Sequence, residues 1–232
     1  VLTSEPQWAK SDILTQTSPP MNIDAFVKFA GAFAARYSSQ VDYYQVWDEP
    51  NLIAAWGQQE PNPTAYTAVL ADVYKAIHAN DPIATVIAAA LAPTIETGPK
   101  NISDILFLRA MYAAGAKDYM DALAAKPYGF SESPDDRTVS VNKLNFSHII
   151  ALREEMVRSG DAKKAIWASE WGWNSLPDDW QGKSSIWGSV SSHQQVEYTF
   201  EALNRVEREW PWLAGMVLSQ WQPVAESKDP IW

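Results

Sequence analysis

Short apolar segments alternate with helical patterns along the whole chain, and this alternation is the feature that most constrains the fold. The segments are too continuously apolar for strands with one face in water, so they indicate parallel strands covered on both sides. Apolar residues at helical spacing between them predict helices. Strands are predicted at 1–4, 43–47, 85–91, 121–126, 165–169 and 215–220, and helices at about 22–37, 62–77, 102–115, 144–159 and 192–209. This order predicts a parallel α/β fold in one domain.

The connections between these segments are strongly asymmetric. Connections from a helix to the next strand are short, as at 38–40 and 160–164, whereas several connections from a strand to the next helix are long and rich in Pro, Gly and Trp. The long ones lie at 7–22, 92–101, 129–142 and 171–191. A (β/α)8 barrel has this asymmetry, with its active site at the carboxyl ends of the strands. A doubly wound sheet places ligands there too, so the asymmetry leaves both folds open.

Composition excludes several classes of function. The 232 residues are 47% hydrophobic and 20% charged, which is the balance of a globular chain. The absence of cysteine excludes disulfides and thiolate zinc sites, and a net charge of −10 without a basic tract argues against nucleic-acid partners. The three histidines are far apart, so no metal site is expected. No apolar run is long enough for a membrane span, and no nucleotide-binding motif or serine-hydrolase elbow is present, so we expect no membrane contact from this segment and no cofactor.

Two predicted strands end in glutamate followed by residues that break a strand. Glu49 follows the strand at 43–47, and Glu170 follows the strand at 165–169, three repeats further along the chain. Strands three apart face each other across the mouth of an eight-stranded barrel, so two carboxyl groups would approach a bound group from opposite sides. Glycoside hydrolysis needs this arrangement. Either glutamate alone is equally explained as a surface acid, but both are flanked by Trp on the long-loop face, which favours a function.

The residues at these strand ends resemble those of clan-A retaining glycoside hydrolases of the family 39 and family 5 types. The segment 47–51, Trp-Asp-Glu-Pro-Asn, is similar to the Trp-Asn-Glu-Pro-Asn at the end of the fourth strand of that barrel. The segment 169–172, Ser-Glu-Trp-Gly, resembles the Glu-x-Gly nucleophile segment of the seventh strand, and 126–129, Lys-Pro-Tyr-Gly, resembles a His-Pro-Tyr segment of the sixth. Trp221 falls where the clan has an aromatic sugar platform on the eighth strand.

This resemblance implies a retaining mechanism, with Glu49 as general acid/base, Glu170 as nucleophile and the carboxyl groups ~5–5.5 Å apart. It also implies that Asn51 lies among the substrate contacts and that Tyr128 hydrogen-bonds the nucleophile. The fold is then an incomplete (β/α)8 TIM barrel. At roughly 43 residues per unit, residues 1–232 would form a partial catalytic domain with about strands three to eight, lacking the first two βα units and the last helix. An extracellular or cell-surface location is favoured, and the oligomeric state is open.

Two residues depart from the clan's pattern. Asp48 stands where the clan has Asn, and Lys126 stands where His is common. An additional carboxylate next to Glu170 would disfavour its ionised form, and a nearby ammonium would offset this effect. We therefore expect Asp48 and Lys126 to form a compensating ion pair at the barrel mouth, where both would contact substrate. The alternative is drift in a barrel that has lost catalysis.

Tryptophan is unusually frequent, with 12 residues in the chain. Indole rings stack on the apolar faces of sugars, so those near the strand ends are candidate platforms. Trp8, Trp47, Trp171, Trp173 and Trp221 are the candidates, with Glu5 as a hydrogen-bond acceptor for a sugar hydroxyl. Trp187, beside Ile186, is instead expected to pack a long loop onto the barrel.

Three functions remain open from the sequence. The first is a retaining glycoside hydrolase that acts on a polysaccharide or oligosaccharide through Glu49 and Glu170, although residues 1–232 alone are expected to be inactive. The second is an inactive carbohydrate-binding barrel on a cell surface. The third is another barrel enzyme, such as a lyase or isomerase, for which Lys126 would be the base.

Overall fold

Five parallel strands form one sheet in the computed structural model, which describes residues 1–3, 19 and 22–218. The predictions for Glu5, Trp8 and Trp221 lie outside these residues. The strands are β1 (Tyr43–Asp48), β2 (Thr85–Leu91), β3 (Ala122–Ala125), β4 (Ala165–Trp171) and β5 (Leu213–Leu218). Next to β1, Leu2 forms a parallel bridge with Val46, which is where the sequence predicts one further strand.

Five α-helices lie within the described residues, and local capping fixes the first residues of three of them. Asn22 and Asn62 each accept a hydrogen bond from a backbone N–H of the first turn, and Ser191 forms a capping box with Gln194. The helices are α1 (Ile23–Tyr37), α2 (Pro63–Asn80), α3 (Asp104–Ala113), α4 (Ile149–Arg158) and α5 (Ser192–Glu209). None of the described helices is long and apolar enough to cross a membrane.

The boundaries of several elements differ from the predicted ones by one to three residues, and two of the differences have a visible cause. The helix predicted at 144–159 is divided into a 3₁₀ turn, Phe146–His148, and α4. His148 and Asn145 bind the preceding loop and α3 through their side chains, so the chain is not free to continue one regular helix. The last strand begins at Leu213, two residues before its predicted start, because Leu213 already pairs with Ile166 of β4.

The order of the strands decides between the two folds that the sequence leaves open. Every described strand pairs in parallel with the next in sequence, in the order β1-β2-β3-β4-β5. A doubly wound sheet reverses its strand order at a switch point, and no reversal occurs among these strands. The predicted (β/α)8 architecture is therefore confirmed for this part of the chain.

Two apolar layers lie on opposite faces of the sheet. The larger core fills the space between the helices and the sheet. On the other face, a small cluster of Ile87, Ala90, Ala122 and Ala124 packs with Trp167. Gly215 makes room for this indole, since a Cβ there would lie 2.7 Å from a ring carbon of Trp167. Small side chains around one large ring thus line the barrel interior beneath the carboxyl ends of the strands.

Candidate active site

The end of β1 has an unusual backbone that presents two acidic residues in succession. Trp47 and Glu49, on either side of Asp48, have φ angles of 71° and 49°, in the left-handed region that L-residues rarely adopt. The backbone N–H of Glu49 donates to the carbonyl of Ala90 at 2.8 Å, which fixes this end of the strand to β2. Such a conformation costs about 1 kcal/mol or more per residue, so it persists only where the surroundings impose it.

Asp48 and Glu49 both bind Lys126, which follows β3. The Lys126 ammonium donates to Asp48 Oδ2 at 2.8 Å and to Glu49 Oε1 at 2.9 Å. The expected ion pair of Asp48 and Lys126 is therefore confirmed. The lysine side chain is only 3% exposed, whereas the two carboxylates remain about a third and a quarter exposed.

Glu170, near the end of β4, completes the cluster from the opposite side. Its Oε1 lies 3.4 Å from the Lys126 ammonium, and its Oε2 accepts a short hydrogen bond from the hydroxyl of Tyr128. Since one nitrogen lies 2.9 Å from Glu49 Oε1 and 3.4 Å from Glu170 Oε1, the two oxygens are separated by at most the sum, about 6.3 Å. The structure thus brings together all four of the predicted residues Asp48, Glu49, Lys126 and Glu170.

A close backbone approach holds Tyr128 in place. Tyr128 forms a parallel bridge with Gly172, and the N–H of Gly129 donates to the carbonyl of Gly172 at 3.0 Å. Trp173 lies directly against Gly129, where a Cβ would come within 1.8 Å of the indole. Only glycine fits at 129, and the backbone contacts with Gly172 hold Tyr128 where its hydroxyl donates to Glu170.

Burial and charge act in opposite directions on the protonation of this site. Burial, together with the charges of Glu49 and Glu170, outweighs the attraction of Lys126 and raises the pKa of Asp48 to about 6. Burial alone would lower the pKa of Lys126, but the three carboxylates outweigh it and the net direction is upward, so the ammonium stays charged. Burial and the charge of Glu170 raise the pKa of Tyr128 far above its ordinary value, so its hydroxyl remains a donor.

Asn51 does not contact the cleft, contrary to the prediction. Its side chain is fully buried, and its Nδ2 donates to the carbonyls of Ala92 and Ile102, both at 2.9 Å. Its Oδ1 accepts from the N–H of Ala92 at 2.9 Å. Because backbone groups use both ends of the amide, Asn51 fastens the loops after β1 and β2 and has no group left for a sugar.

The three predicted tryptophan platforms within the described residues are core residues. Trp47 is 1% exposed and donates its indole N–H to the carbonyl of Ala55. Trp171 is buried near Phe146, and Trp173 is buried with its N–H donated to the carbonyl of Glu132. None of the three presents a ring face to the cleft, so the prediction that they stack on sugars is wrong.

Two residues near the carboxylates were not predicted as site residues. Trp187, expected only to pack a loop, is half-buried with its ring 6.0 Å from that of Tyr128 in an edge contact. No local sequence signal distinguishes it from the other tryptophans of its loop. Gln45 is buried in β1 and donates to Asp48 Oδ1 at 3.3 Å. An amide within an apolar strand was a signal that could have identified it.

The described residues contain no group of three or more His, Cys, Asp or Glu side chains placed to hold a metal ion. The polar groups at the strand ends are instead paired with one another and with Lys126 and Tyr128. They can hold charge and exchange protons with a bound group in the cleft.

Known structures resemble this fold, although no protein-family model and no curated protein sequence matches the chain. A family 39 glycoside hydrolase from the gut symbiont Bacteroides cellulosilyticus WH2 matches 86% of this chain at a TM-score of 0.59 and 20% identity. A monomeric β-xylosidase from Caulobacter crescentus CB15 matches 92% at 0.60 and 22% identity. An α-L-arabinofuranosidase from Thermotoga maritima matches 88% at 0.58 and 15% identity.

These matches cover only part of the larger proteins. The chain spans 38% of the family 39 enzyme, 43% of the xylosidase and 42% of the arabinofuranosidase. At these identities the likeness concerns the fold. The chain therefore has the fold of part of the TIM barrel of glycoside hydrolases, with five parallel strands whose carboxyl ends carry the cluster of Asp48, Glu49, Lys126 and Glu170.

Proposed function

We propose that this chain carries the catalytic face of a retaining glycoside hydrolase that acts on an oligosaccharide or polysaccharide. The observation that supports this most directly is the close approach of Glu49 and Glu170 from different strands. Their Oε1 atoms lie at most about 6.3 Å apart, which is below the ~6.5–9.5 Å typical of inverting enzymes and leaves room for the ~5–5.5 Å typical of retaining ones.

In the proposed reaction Glu49 is the general acid/base and Glu170 is the nucleophile. Glu170 attacks the anomeric carbon while Glu49 gives its proton to the departing glycosidic oxygen. Water, deprotonated by Glu49, then releases the sugar from Glu170 and restores both carboxyl groups. Tyr128 donates to Glu170 Oε2, which leaves Oε1 as the oxygen free of that bond to form the glycosyl ester.

A second function is supported by the position of Lys126. A general acid must carry a proton, and the Lys126 ammonium lies 2.9 Å from the Glu49 oxygen nearest to it. The Lys126 ammonium occupies the side of that oxygen where a general acid would carry its proton. A carbohydrate-binding barrel without hydrolytic activity does not require Glu49 to be protonated. In that case the polar groups of the cleft bind sugar hydroxyls, and Glu49 and Glu170 do not act as acid/base and nucleophile.

Hydrolysis of 4-nitrophenyl glycosides by the protein at its natural length separates these functions. Pentosides are the first probes, since solved structures with this fold include a β-xylosidase and an α-L-arabinofuranosidase. We expect Glu170→Gln to lower kcat at least about 10³-fold, because no covalent intermediate forms without the carboxylate. Glu49→Ala should be partly rescued by azide, which attacks the intermediate without a base.

Glu60→Gln, at an exposed position outside the site, is the matched control and should leave kcat unchanged. Hydrolysis that survives Glu170→Gln would exclude this carboxylate as nucleophile. Binding of an oligosaccharide without hydrolysis by the wild-type protein, and with equal affinity for Glu170→Gln, would favour the binding function.

A further inference from the structure

At the strand ends, the single ammonium of Lys126 contacts three carboxylates. Lys126 makes hydrogen bonds to Asp48 at 2.8 Å and to Glu49 at 2.9 Å, and an ion pair with Glu170 at 3.4 Å. An ammonium has three N–H donors, and the hydrogen bonds to Asp48 and Glu49 use two of them, while Glu170 lies within ion-pair distance of the same nitrogen. Because the lysine side chain is 3% exposed, water does not replace these partners, and a change at any one of them alters what the other two receive.

Three charged groups and two phenols act on Asp48 from the elements around it. Glu49 on its own strand end, Glu170 from β4 and the ammonium of Lys126 from the end of β3 are the charged groups that face it. The charge of Asp48 also contributes to the raised pKa of the phenols of Tyr66, on α2, and Tyr128, so both phenols stay neutral. Among the described residues, no second cation forms an ion pair with any of the three carboxylates.

We propose that Lys126 is a positioning residue that draws Glu49 and Glu170 together, and that Asp48 balances its charge so that the two residues set the pH range of the site as one unit. This rests on the proposed glycosidase function. With all groups ionised, three carboxylates and one ammonium give the same net charge as two carboxylates without Asp48 and Lys126. Removal of Asp48 alone or Lys126 alone therefore changes the net charge of the site, and removal of both leaves it as in the wild type.

The test is a set of pH profiles of kcat/KM for the wild type, Asp48→Asn, Lys126→Met and the double variant, measured with the best 4-nitrophenyl glycoside. Lys126→Met leaves three carboxylates without a counter-ion. Both the acidic and the alkaline limb of the pH profile should therefore move to higher pH by about one unit or more. Asp48→Asn leaves the ammonium to two glutamates, so both limbs should move to lower pH. The double variant should return close to the wild-type limbs.

Lys164→Met is the matched control, because Lys164 forms an ion pair with Asp161 at 3.0 Å outside the site. It should leave both limbs in place. A purely structural role for Lys126 would lower the rate at every pH without moving the limbs, and this result would overturn the proposal. Shifts that add in the double variant, instead of cancelling, would also overturn it.

A second measurement separates failure of this inference from failure of the proposed function. The side-chain carboxyl carbons of Asp48, Glu49 and Glu170 are followed by ¹³C NMR against pH in the same four proteins, with no substrate present. If no glycoside is hydrolysed but the glutamate midpoints rise in Lys126→Met and return in the double variant, the unit is retained and the glycosidase function fails. Midpoints that do not respond to Lys126→Met would refute the unit itself.

Discussion

At the scale of single residues, the folded protein stabilises the negative charge of Asp48 less well than water does in the unfolded chain. Its hydrogen bond to Lys126 is short, yet burial is the larger effect and raises its pKa from 3.8 to about 6. The ionised form is therefore less favourable in the folded chain than in the unfolded one. The resulting cost to stability is full above pH 6 and disappears as the pH falls towards 4.

Asp48→Asn is accordingly expected to stabilise the protein at pH 8, although it removes one partner of an ion pair. We expect a gain of about 1–2 kcal/mol in the free energy of unfolding at pH 8, after allowance for solvent screening, and almost no gain at pH 4. Urea unfolding across this pH range measures it. The exposed Asp42→Asn serves as the control. A loss of stability at pH 8 would mean that the pair with Lys126 outweighs burial.

At the scale of secondary-structure elements, a buried ion pair joins the starts of α3 and α4. His148 Nε2 lies 3.0 Å from Asp104 Oδ2, and its Nδ1 faces the carbonyls of Ser140 and Lys143 at 3.2 and 3.1 Å. Both ring nitrogens thus meet acceptors, which only the protonated imidazole can satisfy. Burial by itself would lower the pKa of His148, but the hydrogen bond and charge of Asp104 and the two carbonyls outweigh it and raise the pKa.

A raised histidine pKa gives stability that is fully present below the unfolded value, near 6.5, and is lost as the pH rises through the folded value. We expect the free energy of unfolding to decline above pH 6.5 in the wild type. His148→Gln should remove this decline while lowering stability at pH 6. Thermal and urea unfolding from pH 6 to 9 measure both effects, with the exposed His193→Gln as control. A decline that is unchanged in His148→Gln would assign the effect to another group.

The elements also show what the sequence could and could not predict. Apolar periodicity located all five helices and all five described strands, because this signal acts within a few residues. The cluster of Asp48, Glu49, Lys126 and Glu170 was predicted as well, since the carboxyl ends of parallel strands meet at one edge of the sheet. The tryptophans were not, because a position near a strand end does not fix which face its ring covers. Trp47 is buried in the core for this reason, whereas Trp187 is half-buried beside Tyr128.

At the scale of the whole molecule, the described part has two open sides. β1, with Leu2 beside it, and β5 are the first and last strands of a sheet whose order does not close on itself among the described residues. On α5, the apolar residues Val196, Phe200 and Leu203 recur at helical spacing and are exposed. We propose that further βα units of a longer chain cover these surfaces, since an eight-stranded barrel needs more strands than these.

Residues 1–232 expressed alone are therefore expected to self-associate and to hydrolyse no 4-nitrophenyl glycoside at a useful rate. Open strand edges pair with other chains, and an incomplete barrel wall leaves the cleft around Glu49 and Glu170 without its remaining sides. Light scattering after size exclusion measures the association, and Phe200→Glu should reduce it, whereas the neighbouring Glu201→Gln should not. The natural-length protein, assayed beside it, supplies the reference rate. A monomeric residue 1–232 protein with that same rate would show that the described strands and the site they carry are sufficient for catalysis.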